Sequence, residues 1–316
     1  MTDNSNPVID HCIVEHNSNI GINSDSNPSS TIRNTIISNS IDHGLRYASS
    51  GGLIENCIIT GNGQSGIYNY GVGNLTIKNT NFINNTPCQF GGSGIFTGAS
   101  NSLTISNCIF TGNSESKAIY NYTSFPTTNI VIQNSDFFNN SDGNFFNCSS
   151  YLGTIVTTNS NGTPCDAFYN IFEDPKINSD FTLKSGSPCI DAGLNSVVTC
   201  QKDIIDSLRI YDGNGNSVAI VDIGPFEYEN PILTLLNNLP SLEDEIKIYP
   251  NPTNNNITIV AQNAKIDIMN MGGQILKTVN TYDLKTTIDL GNLSNGVYFF
   301  IIKTNNRTVT KKIIKQ

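Results

Sequence analysis

The sequence predicts an all-β protein in two parts: a long solenoid of stacked parallel strands, then a small antiparallel sandwich. Three observations carry this expectation. A nine-residue apolar motif returns six times at nearly constant spacing. Charged residues make up only 14% of the chain and Trp is absent, while Asn, Ser, Thr and Gly crowd the gaps between short apolar runs, a mixture that favours strands and turns over helices. The charge also changes sign along the chain: residues 1–243 hold 8 Lys+Arg against 21 Asp+Glu, giving −13, and residues 244–316 hold 9 against 5, giving +4. At 316 residues there is room for two separate cores.

The motif reads "IDHCIVEHN" (9–17), "IRNTIISNS" (32–40), "IENCIITGN" (54–62), "IKNTNFINN" (77–85), "ISNCIFTGN" (105–113) and "IQNSDFFNN" (132–140). Apolar parity changes in the middle of each copy, so the chain turns a corner there and starts a new strand. The corners fall at His11, Asn34, Asn56, Asn79, Asn107 and Asn134, at separations of 23, 22, 23, 28 and 27 residues. Asn tolerates left-handed backbone angles and its amide both donates and accepts, so Asn34, Asn56, Asn79, Asn107 and Asn134 are expected to form a ladder between copies.

A second piece follows each motif, beginning at Gly21, Gly44, Gly66, Gly94, Ala118 and Asn144, so each rung has at least two strands. A repeat of this length that cannot bury its own apolar side means a solenoid. Two interior columns follow: Val14, Ile37, Ile59, Phe82, Phe110 and Phe137, and Ile22, Leu45, Ile67, Ile95, Ile119 and Phe145. On the outside, Arg33, Glu55, Lys78, Ser106 and Gln133 are expected to form a mixed solvated face. Ile13, Ile36, Ile58 and Ile109 make an apolar outer column that marks either a partner surface or a covered side.

Over roughly residues 8–175 these repeats resemble the right-handed parallel β-helix family, the pectate-lyase-like fold. Beyond Asp174-Pro175 the period fades, and "SGSPCIDAG" (185–193) and "VDIGPFEY" (221–228) resemble the closing segment of bacterial surface β-helix proteins, which implies a cap over residues 176–228. A last rung leaves an edge that must be covered. Asp191, Asp222 and Glu227 are read as parts of that cap, with catalytic acids as the alternative.

Residues 229–243 hold two prolines and read as a linker. Seven short strands follow within 244–316, separated by turns such as Met271-Gly272-Gly273, and suggest a sandwich of immunoglobulin type. "YPNP" (249–252), "NMGGQI", "LSNGVYF" (293–299) and the ending "KKIIKQ" resemble the type A C-terminal sorting domain of the type IX secretion system of Bacteroidetes. The resemblance implies that Tyr249, Pro250, Asn251, Pro252, Gly296, Tyr298, Lys311 and Lys312 belong to the sorting signal, that the type IX machinery is a partner, and that the product is extracellular or on the outer-membrane surface. The start "MTDNSNPVID" lacks a secretory signal and already reads as a strand, so an N-terminally truncated chain is expected, with a cytosolic protein as the alternative.

Cys12, Cys57 and Cys108 recur at one place in the repeat, where other copies have Thr35, Thr80 and Ser135, and read as small interior residues. The other five cysteines fall outside it; Cys148 with Cys165 and Cys189 with Cys200 are the pairs considered. No C-x-x-C spacing is present, so no metal site is expected from cysteine. "DGNGN" offers Asp212, Asn214 and Asn216 as a calcium loop but lacks the rest of an EF-hand, and a tight turn is preferred. The acidic charge argues against nucleic acid, and no apolar run is long enough for a transmembrane helix.

Lyases and hydrolases of this fold need clustered acids, paired carboxylates or a base on one face, and the repeats hold little of either. His11, His16 and His43 are read as structural. The suggestive surface is an outward aromatic column, Tyr68, Phe96, Tyr120 and Phe146, with Asn69 and Asn121 beside it, a composition that suits sugar faces. The leading expectation is therefore an exported adhesin-like or glycan-binding passenger. The alternatives are a polysaccharide lyase or hydrolase whose catalytic rungs lie upstream, and a scaffold without a ligand.

Overall fold

The computed structural model describes residues 6–25, 29–48, 51–70, 73–98, 102–122, 129–229, 246–261, 263–283, 285–304 and 308–316. The chain divides into two compact units, Met1–Asn230 and Pro231–Gln316. The described residues contain no α-helix, only one short 3-10 turn at Asn195–Val197.

Each rung of the first unit has three strands. The first sheet stacks Val8–Asp10, Ser29–Arg33, Gly51–Glu55, Leu75–Lys78, Leu103–Ser106 and Ile130–Gln133, all parallel. The second stacks Ile13–Glu15, Ile36–Ser38, Ile58–Thr60, Asn81–Ile83, Ile109–Thr111 and Asp136–Phe138. The third stacks Ile22–Ser24, Leu45–Tyr47, Ile67–Asn69, Ile95–Thr97, Ile119–Asn121 and Phe145–Phe146. Both expected interior columns form in unbroken register. Phe82, Phe110 and Phe137 stack at 4.5 and 4.7 Å with planes 2° and 4° apart.

The corner is a single left-handed residue: His11, Asn34, Asn56, Asn79, Asn107 and Asn134 have φ between 46 and 54°. A second left-handed corner, not anticipated from the sequence, follows the second strand at His16, Asn39, Gly61, Asn84, Gly112 and Asn139.

The amide ladder divides between the two corners. At the first it is pairwise: Asn56 donates to Asn34 Oδ1 at 3.2 Å, and Asn107 donates to Asn79 Oδ1 at 3.0 Å. Corner amides also turn elsewhere: Asn34 donates to Asp10, and Asn56 and Asn134 donate to the Lys202 and Ala192 carbonyls of a later segment that lies against this edge. The continuous ladder runs inside the second corner, where Asn62 donates to Asn85 (2.9 Å), Asn85 to Asn113 (3.2 Å) and Asn113 to Asn140 (2.9 Å). Asn85 and Asn113 also donate to interior carbonyls, so these buried amides are satisfied only as a stack.

The cysteine positions have a related logic. Thr35, Thr80 and Ser135 each donate to the carbonyl two residues back and accept the backbone N–H of Cys12, Cys57 or Cys108 in the adjacent rung. Each of those thiols in turn donates to its own carbonyl two residues back. Burial pushes the Cys57 and Cys108 thiols up to about 12. All eight cysteines are free, so neither considered disulfide forms; Cys189 faces Asp136 and Cys200 faces Glu55 instead.

Regular rungs end at Phe146, and Ile171 then lays a partial layer on Asp136. From there the chain turns back along the solenoid wall. Ile109 packs with Cys189, Ile190, Ala192 and Ile223, so the apolar outer column is a covered side at Ile58 and Ile109 (1% and 0% exposed), while Ile13 remains 68% exposed. The same return segment overturns the expected solvated face. Glu55 is 1% exposed and Lys78 6%. Lys78 Nζ lies 3.4 Å from Glu55 and donates to the Val197 carbonyl and Thr199, while the Thr199 hydroxyl and Cys200 thiol meet Glu55. Burial works against the Glu55 anion, but the Cys200 thiol, Lys78 and Thr199 together hold its pKa below the usual value. Outward parity predicts solvent only where no later segment returns.

Among the described residues the second unit has seven strands in two antiparallel sheets. One joins Lys247–Tyr249, Asn256–Val260 and Lys285–Asp289; the other joins Ala264–Met269, Ile275–Thr281, Gly296–Lys303 and Thr308–Lys315. Ile257, Ile259, Ile266, Ile268, Phe300 and Ile302 fill the space between them and are fully buried. The two ends of this unit are tied together. Asn251 donates to the Lys312 carbonyl and accepts the Ile314 N–H, both at 2.9 Å, and Thr253 pairs with the same strand. The Tyr249-Pro250 and Asn251-Pro252 bonds are cis. Tyr298 is buried and donates to the Ser294 carbonyl at 2.6 Å.

Candidate functional site

The outer face of the third sheet carries Asn23, Arg46, Tyr68, Phe96, Tyr120 and Phe146 in register on successive rungs. Parity puts them outside because Ile22, Leu45, Ile67, Ile95, Ile119 and Phe145 point in. The preceding glycines let the rungs stack: a Cβ on Gly66 would sit 2.8 Å from the Gly94 carbonyl oxygen.

The expected column is a stacked ladder. His43 and Tyr68 lie 4.5 Å apart, Tyr68 and Phe96 4.9 Å, Phe96 and Tyr120 6.2 Å, and Tyr120 and Phe146 4.1 Å, with the last three pairs 8 to 15° from parallel. Such pairs contribute roughly 0.5–1.5 kcal/mol each beyond area burial. The ring faces are therefore largely taken by one another. Phe96 is only 1% exposed, flanked by Phe90 and Tyr122 with centroids at 5.9 and 5.8 Å. The longer spacing between Asn79 and Asn107 supplies Phe90 to that cover. Gly91 and Gly92, with φ of 109 and 75°, carry the chain so close that a Cβ would meet the Tyr120 ring or the Phe96 backbone within 2.8 Å.

What this wall offers outward is a rim: Tyr70, Phe90, Tyr122 and Phe146, 58, 44, 52 and 43% exposed. Tyr70 and Tyr122 were signalled by a tetrapeptide that occurs twice, "IYNY" at 67–70 and 119–122. Burial raises the Tyr68 hydroxyl pKa and lowers that of His43, against the pull of Asp42.

The amides expected beside the rings lie elsewhere. Asn69 and Asn121 share parity with Ile67 and Ile119 and are 2% and 6% exposed. Asn69 donates to Thr97 at 3.4 Å and Asn121 to the Asn147 carbonyl at 2.9 Å, so both hold rungs together from within. A spacing of two along a strand returns a side chain to the same face, which rules them out as outer partners.

Other candidate groups do not converge. His11 and His16 are corner residues and His43 is the end of the stack. Asp212 accepts the N–H groups of Gly215, Asn216 and Ser217, so its carboxylate closes a tight turn. Among the described residues no group of three or more His, Cys, Asp or Glu is placed to hold a metal ion.

The cap acids act as backbone clamps. Asp191 accepts from Gly213 and Asn214, Asp222 from Asp191 and Tyr228 at 2.7 and 2.6 Å, Asp203 from Ile205, Ser207 and Glu227, and Glu227 from Asp222. Arg209, fully buried, lies 3.2 Å from Glu227 and donates to the Gly224 carbonyl. Burial pushes the Asp222 carboxyl up to about 7 and raises that of Glu227, which Arg209 opposes.

Comparison with known families decides the remaining question. The model for a right handed beta helix region matches residues 20–234, more than half of the chain. The chain belongs to the right-handed β-helix family. Behind this β-helix, the model for a secretion system C-terminal sorting domain matches residues 247–316, the unit whose first turn and last strand are tied through Asn251. Such a domain implies export by the type IX machinery and a secreted or cell-surface protein. No curated protein and no solved structure matches the chain. Among the described residues no helix is long and apolar enough to cross a membrane.

Proposed function

We propose that the β-helix is an adhesin-like, glycan-binding passenger that meets its ligand along the third sheet. One observation carries this reading: Tyr70, Phe90 and Tyr122 stay about half exposed around a stacked ladder whose last ring, Phe146, is itself 43% exposed. Uncovered aromatic area of this kind suits the apolar faces of pyranose rings, and repetition along the solenoid suits an extended chain. On the outer wall of the second sheet the apolar column is covered by the chain itself at Ile109, so the third sheet is the wall left open there.

The test is a glycan array probed with the full chain, with Tyr70→Ala and Tyr122→Ala as variants and thermal melting as the folding control. Binding that falls about tenfold in either folded variant is the expected result, equivalent to about 1.4 kcal/mol. Absence of any binding, or binding unaltered in both variants and in Tyr68→Ala and Tyr120→Ala, overturns the proposal.

A further inference from the structure

Resting on that reading, we infer that the aromatic wall selects glycans carrying one isolated anionic group, fixed by Arg46. The inference comes from the bookkeeping of cations in the acidic part of the chain. Residues 1–243 contain 8 Lys and Arg. Arg33, Lys78, Lys117, Lys202 and Arg209 each lie against a carboxylate, and Lys176 donates to the Gly186 carbonyl. Among the described residues the Arg46 side chain makes no ion pair and no hydrogen bond, and of the cations without a partner only Arg46 stands on the third sheet.

Its position is specific. Arg46 is half-buried and pairs in register with Tyr68, one rung away. Outward side chains on paired strands stand about 4.8 Å apart, so the guanidinium lies at the head of the aromatic ladder. Tyr68 is stacked on one side by His43 and lies 6.1 Å from the exposed Tyr70. The carboxylate closest in sequence, Asp42, is turned to the His43 backbone and ring. A planar five-donor group held beside aromatic rings and left without an acceptor is a site for a carboxylate or sulfate on a sugar that packs against Tyr70.

Charge limits the ligand further. Beyond Arg46 the outward column is Tyr68, Phe96, Tyr120 and Phe146, with no second cation in register. The surrounding chain carries −13, which repels a polyanion along its length. One acidic residue at one end of an otherwise neutral chain matches this distribution, and Arg46 would then also set the direction in which the glycan lies.

The experiment uses the full chain and matched oligosaccharide probes: a neutral parent, the same oligosaccharide with one terminal carboxylate-bearing sugar, the same with one terminal sulfate, and a polyuronide. The expected result is binding of one or both singly anionic probes about tenfold tighter than the parent, the two arms separating carboxylate from sulfate. The ratio should collapse to about one in Arg46→Gln, recover in part in Arg46→Lys, and shrink as salt rises from about 0.05 to about 0.5 M. Arg46 gives up no internal partner, so the folded state of Arg46→Gln can be checked by an unchanged melting temperature. A ratio near one in the unaltered protein, a ratio that survives Arg46→Gln, or a polyuronide that binds tightest overturns the inference. Equal binding of parent and singly anionic probes leaves the glycan reading standing while removing this one; no binding to any probe removes both.

Discussion

Two outer walls of one solenoid behave differently. On the second sheet, outward Ile58 and Ile109 are as buried as interior residues, and Ile109 packs directly against the segment after Ile171 that folds back over this wall. On the third sheet, outward Tyr68, Phe96, Tyr120 and Phe146 stack on one another, and their neighbours Tyr70, Phe90 and Tyr122 remain partly open. The lesson is that an apolar outer column in a solenoid has two solutions: cover by a distant piece of the same chain, or self-stacking with an exposed rim. Only the second leaves surface for a ligand.

The largest effect is expected where cover is complete. Ile109→Asp places a carboxylate at a fully buried position and should cost on the order of 4 kcal/mol or more, or prevent folding of the unit, whereas Ile13→Asp, at the exposed end of the same column, should stay within about 0.5 kcal/mol. Denaturant unfolding of the two variants, read by circular dichroism, checks this; similar losses would mean the cover is not real.

Next comes pH. Burial raises Asp222 to about 7 in the folded state, so between roughly pH 4 and that value the folded protein holds a proton that the unfolded chain releases. Stability should therefore fall as pH rises through this window. His43, whose pKa burial lowers, acts with the opposite sign, and Glu55 stays ionised throughout. The diagnostic is thus the difference between unaltered protein and Asp222→Asn across pH 5 to about 8, which should flatten the slope while lowering stability, since one of two backbone donors loses its acceptor. An unchanged slope would remove Asp222 from the account.

The smallest stability effect is expected on the open wall. Tyr122→Ala should cost no more than about 1 kcal/mol, because the ring is half exposed and only flanks Phe96 and Phe90. A much larger loss in calorimetry would make the rim a structural cover like that of the second sheet.

Several features were legible before any coordinates. Parity around each corner fixed the inward columns, and the turn signals separated the seven strands found among the described residues of the C-terminal unit. The second corner stood in the quoted repeats as the final pairs His16-Asn17, Asn39-Ser40, Gly61-Asn62, Asn84-Asn85, Gly112-Asn113 and Asn139-Asn140, with a left-handed residue first and, in the last four, the ladder amide second. It went unread because two adjacent turn-forming residues resemble any loop.

The sequence by itself determined what repeats: strand faces, corners and interior columns depend on local parity and on residues that accept positive φ. Tertiary structure alone decided which outward positions meet water. Glu55 and Lys78 look solvated in their own rung, yet they are buried by Thr199 and Cys200, more than a hundred residues later in the chain. Local pattern sets the direction of a side chain, but what lies in that direction is set by segments whose return path carries no periodic signal.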